Sequence, residues 1–405
     1  MNYLIAGNGP AAVNAVKAIR RLDPSGGITM VSPEENLPYS RIMVPEYLTG
    51  EMQEEDLYFA PEFYEQYQVQ TRLGKKVQQV LPREHQVVLD DGEQLTYDRL
   101  LLATGSRPFL PPWADLSIDG VYCMWDKADA EKISAALRPK AHAVVVGGGL
   151  VGMQAARALS SCGMKVCIVE LADRLMVRQL DETAAELLRQ ATEDAGVQVR
   201  LSASVEQLET ADGKVCGVRL ANGERLAADC VIVSAGVRPN LEMLEATGIE
   251  YARGIQVDER LHTALPDIYA AGDVVKTVGY PEGESAVRAI WLNAVEQGEI
   301  AGENMAGGHR AYAGGRSMNS TELFGLSLIS AGCTMGGEGL TEKVLTPALN
   351  GAYCKVILDG ERLLGMQMVG DVQQAGLLVQ KIGLCCNEGS FWGKLPTVNP
   401  ELIAI

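Results

Sequence analysis

The chain has 405 residues, 47% of them apolar, and a formal net charge of −17. This length predicts two or three domains, and the acidity argues against nucleic-acid binding, because phosphate groups need clustered lysines and arginines. No apolar run approaches the roughly 20 residues of a membrane span, and the nine cysteines form no CxxC pair. Unpaired thiols, with Met1 leading directly into the first predicted strand, are typical of a cytoplasmic protein.

The first predicted unit is a strand at residues 3–6, a glycine-rich loop, a helix at residues 11–22 and a strand at residues 28–31. In such a loop the first glycine makes a tight turn, the second lets backbone N–H groups approach a pyrophosphate, and the third position allows close helix packing. The loop has alanine at the third position and consists of Gly7, Asn8, Gly9, Pro10, Ala11 and Ala12. Beyond the second strand, Glu34 or Glu35 directly, or Ser32 through water, is expected to bind a ribose.

The same pattern recurs 140 residues later. A strand at residues 144–146 precedes a loop with all three glycines, and a helix near residues 153–161 and a strand at residues 166–170 follow it. The loop consists of Gly147, Gly148, Gly149, Leu150, Val151 and Gly152. Glu170 stands at the end of the second strand, where a carboxylate accepts hydrogen bonds from an unphosphorylated ribose and repels a 2′-phosphate. This unit therefore predicts NADH in preference to NADPH, and two facing dinucleotides indicate hydride transfer between a nicotinamide and a flavin.

The remaining pattern places the domain boundaries. A proline-rich stretch at residues 107–112 ends the first domain, and residues 235–240, which include Gly236, follow another apolar strand. Helices are predicted at residues 181–195 and 286–305 and near residues 373–386. These features predict an α/β fold with two Rossmann-like domains and a small α+β C-terminal domain. The predicted domains are residues 1–112 with 235–310, residues 113–234, and residues 311–405.

Two further motifs point to a family. Residues 101–108 contain Ala103, Thr104 and Gly105 in an ATGxxP pattern, and residues 268–273 end in Gly272 and Asp273. Alone, an aspartate such as Asp273 is more often a turn or cap residue. With both glycine loops in order, however, the chain resembles the FAD-dependent pyridine nucleotide–disulfide oxidoreductase superfamily over nearly its full length.

The resemblance extends to one branch. Residues 38–41 and 45–50, the stretch from Ile290 to Gly298, and residues 319–325 look like the NADH:rubredoxin reductase and nitrite-reductase flavin-domain branch. This implies FAD in the first domain, NADH in the inserted second domain and an interface domain at the C-terminus. It also implies that Asp273 holds the ribityl hydroxyls and that the helix beginning near Trp291 directs its positive end at the flavin. Core packing is an equally good interpretation of Trp291.

Three departures distinguish this chain within the superfamily. Residues 39–50, where disulfide reductases carry a cysteine pair and oxidases or peroxidases a single cysteine, contain none. Electrons then have no sulfur relay and must leave the flavin directly. Glu46 stands where related ferredoxin reductases have a lysine, and Gln154 stands where many relatives have a glutamate near the nicotinamide. Gln154 can still hydrogen-bond a carboxamide, or it is an ordinary surface residue.

Other candidate residues have two interpretations each. Arg41 either pairs with FAD phosphate or a partner's carboxylate, or is solvated. The adjacent Cys385 and Cys386 are either a redox pair or, more commonly, buried thiols. The apolar tail at residues 390–405 either packs on its own domain or binds a partner subunit. The four histidines and nine cysteines show no metal-ligand spacing, so a metal acceptor must be another protein.

The predicted function is an FAD-dependent NADH oxidoreductase that exchanges electrons with a one-electron carrier of the rubredoxin or iron–sulfur ferredoxin type. One alternative is a flavin subunit of a larger metalloenzyme complex, such as an aldehyde oxidoreductase or nitrite reductase. Another is an NADH oxidase, which the missing cysteine disfavours. A third is a non-catalytic NADH-sensing module similar to apoptosis-inducing factor.

Overall fold

The computed structural model describes residues 1–281, 285–349 and 351–386. Its α-helices are α1 Pro10–Leu22, α2 Val44–Thr49, α3 Glu54–Leu57, α4 Phe63–Gln66, α5 Lys127–Ala136, α6 Leu150–Ser161, α7 Glu182–Asp194, α8 Trp291–Met305 and α9 Ala375–Val379. Its strands are β1 Asn2–Ala6, β2 Gly27–Ser32, β3 Val69–Leu73, β4 Val77–Leu81, β5 Gln86–Leu89, β6 Gln94–Thr96, β7 Arg99–Leu102, β8 Ser106–Pro108, β9 Val121–Tyr122, β10 His142–Val146, β11 Lys165–Val169, β12 Gln198–Arg200, β13 Val205–Ala211, β14 Lys214–Leu220, β15 Arg225–Ala227, β16 Cys230–Val233, β17 Val237–Pro239, β18 Ile255–Gln256, β19 Ile268–Ala270, β20 Val275–Lys276, β21 Gly279–Tyr280, β22 Gly315–Arg316, β23 Met318–Leu323, β24 Leu326–Gly332, β25 Thr341–Leu349, β26 Ala352–Asp359 and β27 Arg362–Val369. Within these residues, no helix has both the length and the apolar character needed to span a bilayer.

The chain folds into two compact units. Unit 1 contains Met1–Met43, Gln53–Arg107 and Val237–Arg316, and unit 2 contains Val44–Met52, Pro108–Gly236 and the described residues from Ser317 onward. Each unit has its own parallel sheet with helices, which confirms the predicted α/β class. The finer division into three domains stays a prediction.

Unit 1 is built on a five-stranded parallel sheet in the order β19-β7-β1-β2-β3. Ile5 of β1 and Leu101 of β7 are fully buried in the core on one face, together with residues of α1 and α8. Leu4 and Leu100 are buried in a second core on the opposite face. Apolar residues on both faces are typical of a parallel sheet covered on both sides.

Helices α1 and α8 pack at close range because glycines face α1. A Cβ atom at Gly298 would overlap the backbone of Ala11, and one at Gly302 would overlap the backbone of Ala15. Helix α8 therefore holds the start of α1, which follows directly after the first glycine loop.

Unit 2 contains a five-stranded parallel sheet in the order β12-β11-β10-β16-β9. The antiparallel sheet β13-β14-β15 packs on it through a shared apolar core that includes Val144, Val218 and Val231. Helix α6 starts directly after β10, as the second glycine loop predicts. The carboxyl ends of β10 and β11 thus meet at the start of this helix.

The C-terminal part of unit 2 is the antiparallel sheet β23-β24-β27-β26-β25. It is fixed to α7 through Asp181, the residue before the helix, whose carboxylate accepts a hydrogen bond from Ala184 N–H at 2.9 Å. The same carboxylate accepts bonds from Tyr353 Oη at 2.8 Å and from Lys355 Nζ at 2.7 Å. Lys355 is 4% exposed, so this is a buried ion pair.

Two predicted helix boundaries are wrong. The helix predicted at residues 286–305 begins only at Trp291, because Ala286 pairs with Thr277 in an antiparallel bridge and Ile290 is extended. The helix predicted near residues 373–386 is reduced to Ala375–Val379. Gly383 has a φ of 88° and Cys385 forms an antiparallel β-bridge with Arg362, so this segment leaves the helical conformation.

Candidate functional site

The first glycine loop joins β1 to α1 in unit 1. Gly7 has a φ of 140°, and a Cβ atom there would overlap the carbonyl group of Ala103. Gly9 has no atom within 4 Å of its Cβ position, and Pro10 is the first residue of α1. The loop therefore leaves the backbone at Gly9 and at the positive end of the helix open, as a dinucleotide-binding loop requires for a pyrophosphate.

The loop meets the other predicted motifs of unit 1. Gly7 approaches Ala103, and the Cβ position of Gly272 lies 3.3 Å from Ala11 Cβ. The third loop position, Ala12, is fully buried against the sheet, as close helix packing requires. The structure thus brings residues from three separate motifs to the carboxyl ends of β1, β7 and β19.

The residues predicted to bind a ribose lie after β2. Ser32 is buried and its Oγ accepts a hydrogen bond from Glu34 N–H at 3.1 Å. The Glu34 carboxylate accepts a hydrogen bond from Arg41 Nη2, whereas Glu35 lies close to Gly74. Arg41 and Glu34 thus form one polar pair beyond the end of β2.

Asp273 has a partner that the sequence pattern did not reveal. Ser106 Oγ donates to Asp273 Oδ2 at 2.6 Å, and Ser106 itself is buried. Burial raises the pKa of Asp273, while the bond from Ser106 and the charge of Arg41 oppose this change. Ser106 directly follows Gly105 in the ATGxxP segment, at a position where the pattern allows any type of residue.

The ATGxxP segment is held by Asn240. Thr104 Oγ1 donates to Asn240 O at 3.0 Å, and Asn240 Nδ2 donates to Thr104 O at 2.8 Å. Asn240 N–H also donates to Gly105 O at 2.9 Å. These reciprocal bonds fix Thr104 and Gly105 at the end of β7.

Trp291 is the first residue of α8 and packs against Phe59 with its ring tilted. Their ring centroids are 5.4 Å apart with an interplanar angle of 45°. Ile290, before the helix, is extended and supplies no side-chain cap. The side chain before α8 therefore does not cap the first N–H groups of the helix. Uncapped N–H groups at the positive end of a helix can donate to an electron-rich group of a ligand.

The second glycine loop joins β10 to α6 in unit 2. Gly147 has a φ of 116°, and a Cβ atom there would overlap the carbonyl oxygen of Ser234. A Cβ atom at Gly152 would overlap the Gly147 carbonyl, whereas Gly149 has no atom within 4 Å of its Cβ position. Each glycine thus has the environment that its place in a dinucleotide loop requires. Leu150 and Val151 form the first turn of α6, and Gly236 lies after β16 with a φ of 107°.

Glu170 is oriented by two backbone donors. Its Oε2 accepts from Gly148 N–H at 2.5 Å, and its Oε1 accepts from Ala172 N–H at 2.7 Å. Each carboxylate oxygen has a further acceptor position. Glu170 therefore stands beside the loop in an orientation that suits the hydroxyl groups of a ribose.

Glu46 and Gln154 are both bound by Arg157, which was not among the predicted site residues. Arg157 Nη2 donates to Glu46 Oε1 at 2.9 Å, and Arg157 Nε donates to Gln154 Oε1 at 3.0 Å. Gln154 Nε2 in turn donates to Thr321 Oγ1 at 2.6 Å on the C-terminal sheet. Glu46 Oε2 is buried and has no hydrogen-bond donor among the described residues. Spacing of three residues on one helix could have indicated the Arg157–Gln154 pair.

The adjacent cysteines and the C-terminal tail provide no further evidence for a functional site. Cys385 is exposed and Cys386 is buried, and both are free thiols. Burial raises the pKa of Cys386, which makes it less reactive. The tail at residues 390–405 lies outside the described residues. In the part of the chain that the structure covers, no three acidic, histidine or cysteine side chains are grouped to hold a metal ion.

Comparison with known proteins identifies relatives along most of the chain. The family model described as pyridine nucleotide-disulphide oxidoreductase matches residues 1–298. The epsilon subunit of NADH-dependent phenylglyoxylate dehydrogenase from Aromatoleum evansii is 34% identical over 94% of this chain and 91% of its own length. Rubredoxin-NAD(+) reductase from Pseudomonas putida is 31% identical over 76% of this chain and 80% of its own length.

A solved structure has the same fold. The covalent putidaredoxin reductase–putidaredoxin complex superposes with a TM-score of 0.86 and 26% identity, over 94% of this chain and 93% of the other. The family match covers the first two segments of unit 1 and most of the third, and the matches to the epsilon subunit and to the putidaredoxin reductase complex each cover 94% of this chain.

Proposed function

The chain belongs to the pyridine nucleotide-disulphide oxidoreductase family, and on this basis we propose that it is an FAD-dependent NADH oxidoreductase that exchanges electrons with a one-electron carrier protein. The observation that carries the proposal is the pair of glycine loops, each at the carboxyl end of its own parallel sheet. Relatives named for rubredoxin and a neighbour solved with putidaredoxin support the carrier class.

Unit 1 supplies residues that fit FAD. The exposed backbone at Gly9 suits the pyrophosphate, and Glu34, held by Arg41, suits the adenosine ribose. Asp273, oriented by Ser106, is an acceptor for ribityl hydroxyls. Bound FAD supplies the conversion between two-electron hydride transfer and one-electron transfer.

Unit 2 supplies residues that fit NADH. The backbone at Gly149 and the start of α6 receive the pyrophosphate. The Glu170 carboxylate accepts hydrogen bonds from the ribose and repels a 2′-phosphate, so NADH is preferred over NADPH.

The lack of a cysteine at residues 39–50 supports direct transfer to an external carrier. A disulfide relay needs a thiolate at the flavin, and this segment provides Glu46 instead. We also propose a cytoplasmic location, which the free cysteines support, and we propose that the C-terminal sheet forms an interface with a partner or a second copy.

An anaerobic titration tests this function. Purified protein is mixed with NADH, bleaching of the yellow chromophore is followed, and rubredoxin and ferredoxins are then added one at a time. Reoxidation by one carrier at a rate matching turnover is expected. Stable reduction without transfer to any carrier would contradict the proposal and favour a sensing module. Rapid NADH consumption by oxygen alone, measured in a separate aerobic assay, would contradict it and favour an oxidase.

A second function is favoured by one comparison. The relative with 34% identity is named as a subunit of a larger dehydrogenase and aligns over 91% of its length. The chain would then pass electrons between NAD(H) and a metalloenzyme complex in which it is the flavin subunit. Purification from the native host tests this alternative, since a co-purifying iron–sulfur protein in fixed stoichiometry is expected only for a subunit.

A further inference from the structure

Glu46 has one carboxylate oxygen in an ion pair and one without a donor. Oε1 accepts from Arg157 at 2.9 Å, while Oε2 is buried with no donor from the described chain. A buried acceptor without a hydrogen bond is costly, by roughly 1–3 kcal/mol, unless a ligand or water supplies the donor. The position of Glu46 therefore calls for a donor group beside it.

Gln154, the residue expected to contact the carboxamide of the nicotinamide, is already engaged at both ends. Its amide oxygen accepts from Arg157 at 3.0 Å, and its amide nitrogen donates to Thr321 at 2.6 Å. These bonds fix the orientation of the side chain and reduce its capacity for a ligand. Glu46 Oε2, which has no such bonds, is the stronger acceptor in this group.

The location of Glu46, Gln154 and Arg157 suits the nicotinamide half of the cofactor. Gln154 lies four residues beyond Leu150, about 6 Å along α6 from the end that receives the pyrophosphate. Arg157 lies about one turn beyond Gln154 on α6. Because helical side chains lean toward the start of their helix, the Arg157 side chain reaches back to Gln154, as their hydrogen bond shows. Helix α2, which carries Glu46, packs against α6 within unit 2.

We propose that Glu46 is the residue that recognises the carboxamide of the nicotinamide, with Oε2 accepting a hydrogen bond from its NH₂ group. Arg157 is a positioning residue, because it holds Oε1 and so directs Oε2 toward the ligand. The carboxamide carries the N–H donors of the nicotinamide ring, and a carboxylate can only accept. This inference depends on the NAD(H)-binding function proposed above.

The experiment compares two ligands that differ at this group. Binding of NAD⁺ and of its 3-acetylpyridine analogue, which replaces NH₂ by CH₃ and keeps the carbonyl, is measured by calorimetry on the oxidised holoenzyme, without turnover. The wild type should prefer NAD⁺. In Glu46→Leu this preference should fall by about tenfold, because the discriminating acceptor is lost.

Glu46→Gln is the conservative variant if leucine prevents folding. Arg157 needs the amide oxygen of the new side chain, so the amide NH₂ takes the place of Oε2. That group donates to the carbonyl, which both ligands share, and the preference for NAD⁺ should fall here as well. Glu51→Gln is the matched control: Glu51 lies 3.8 Å from Arg157, and its loss should leave the preference within about twofold of wild type.

The outcomes of these binding measurements distinguish failure of this inference from failure of the proposed function. An unchanged preference in both Glu46 variants, with NAD⁺ still bound, would overturn this inference and leave the proposed function intact. Loss of the preference in Gln154→Leu but not in the Glu46 variants would assign recognition to Gln154. Failure of the wild-type protein to bind NAD⁺ would instead contradict the proposed function.

Discussion

Lys355 Nζ lies 2.7 Å from Asp181 Oδ2, so a buried lysine of the C-terminal sheet pairs with the residue that caps α7. Glu342 Oε2 is 3.0 Å from the same ammonium group. Although burial raises the pKa of Asp181, bonds from Ala184 N–H, Lys355 and Tyr353 outweigh it, and the net direction is downward. The pair therefore favours the ionised carboxylate in the folded state.

Lys355→Met should destabilise the protein by about 2 kcal/mol, because it leaves a partly buried carboxylate without its cation. Chemical denaturation followed by circular dichroism measures the change. Lys214→Met removes an exposed lysine that pairs with Asp119 at 3.0 Å, and it should change stability by no more than about 0.5 kcal/mol. Equal effects of the two substitutions would show that burial of the Lys355 pair is unimportant.

The same pair predicts a pH dependence. Because the pKa of Asp181 is lowered by folding, its contribution to stability is present above the ordinary aspartate pKa of about 3.9 and is lost as the pH falls through the folded-state value. Melting curves from pH 6 to pH 3 should show a smaller acid-induced loss in Lys355→Met than in wild type. Parallel curves for the two proteins would contradict this linkage.

Asp273→Asn should separate cofactor binding from stability. Since burial raises the pKa of Asp273, its contribution to folding is lost as the pH rises from about 3.9 through the folded-state value. At pH 7 the variant apoprotein should melt at a higher temperature than the wild-type apoprotein, while its Kd for FAD rises by about tenfold. A lower melting temperature with unchanged FAD binding would show that Asp273 has a structural role only.

Glu170→Ala should relax the preference for NADH. The substitution removes both the acceptor for the ribose and the negative charge that repels a 2′-phosphate, so the ratio of kcat/KM for NADH to that for NADPH should fall by about tenfold or more. Steady-state kinetics with one carrier measures this ratio. Glu224→Gln, which removes a carboxylate paired with Arg200 in the same unit, should leave the ratio unchanged.

Gly302→Ala should weaken unit 1 by about 2 kcal/mol or more, because the added Cβ atom overlaps the backbone of Ala15 and forces α8 away from α1. Gly376→Ala is a suitable control, since it adds a Cβ atom to α9 where nothing lies within 4 Å. That change should be neutral or slightly stabilising, by up to about 1 kcal/mol. Melting temperatures of the two variants measure the difference.

The features that sequence analysis predicted well are local. The glycine loops at Gly7 and Gly147 are specified by residues within one strand, turn and helix, and the structure has the expected close approaches at both. Assignment of the family followed from the order of such motifs. The roles of the individual site residues stay predictions.

The features that it missed depend on residues far apart in the chain. Gln154 donates to Thr321, 167 positions away, and Glu46 is 111 positions from Arg157, so no local pattern reports these two bonds. The boundary of α8 was misjudged because residues 286–290 have helical composition, whereas Ala286 pairs with Thr277 in a bridge and Ile290 is extended. Tertiary contacts overrode local propensity at that point.

The interrupted path of unit 1 has a consequence for biosynthesis. Strand β19 at residues 268–270 and helix α8 complete the first parallel sheet and its core, but both leave the ribosome after the whole of β9 to β16 has been made. The nascent chain can thus complete the parallel sheet of unit 2 while the amino-terminal βαβ segment still lacks its edge strand. A chain truncated before residue 268 would contain every strand of that sheet but would leave the βαβ segment exposed to chaperones and proteases.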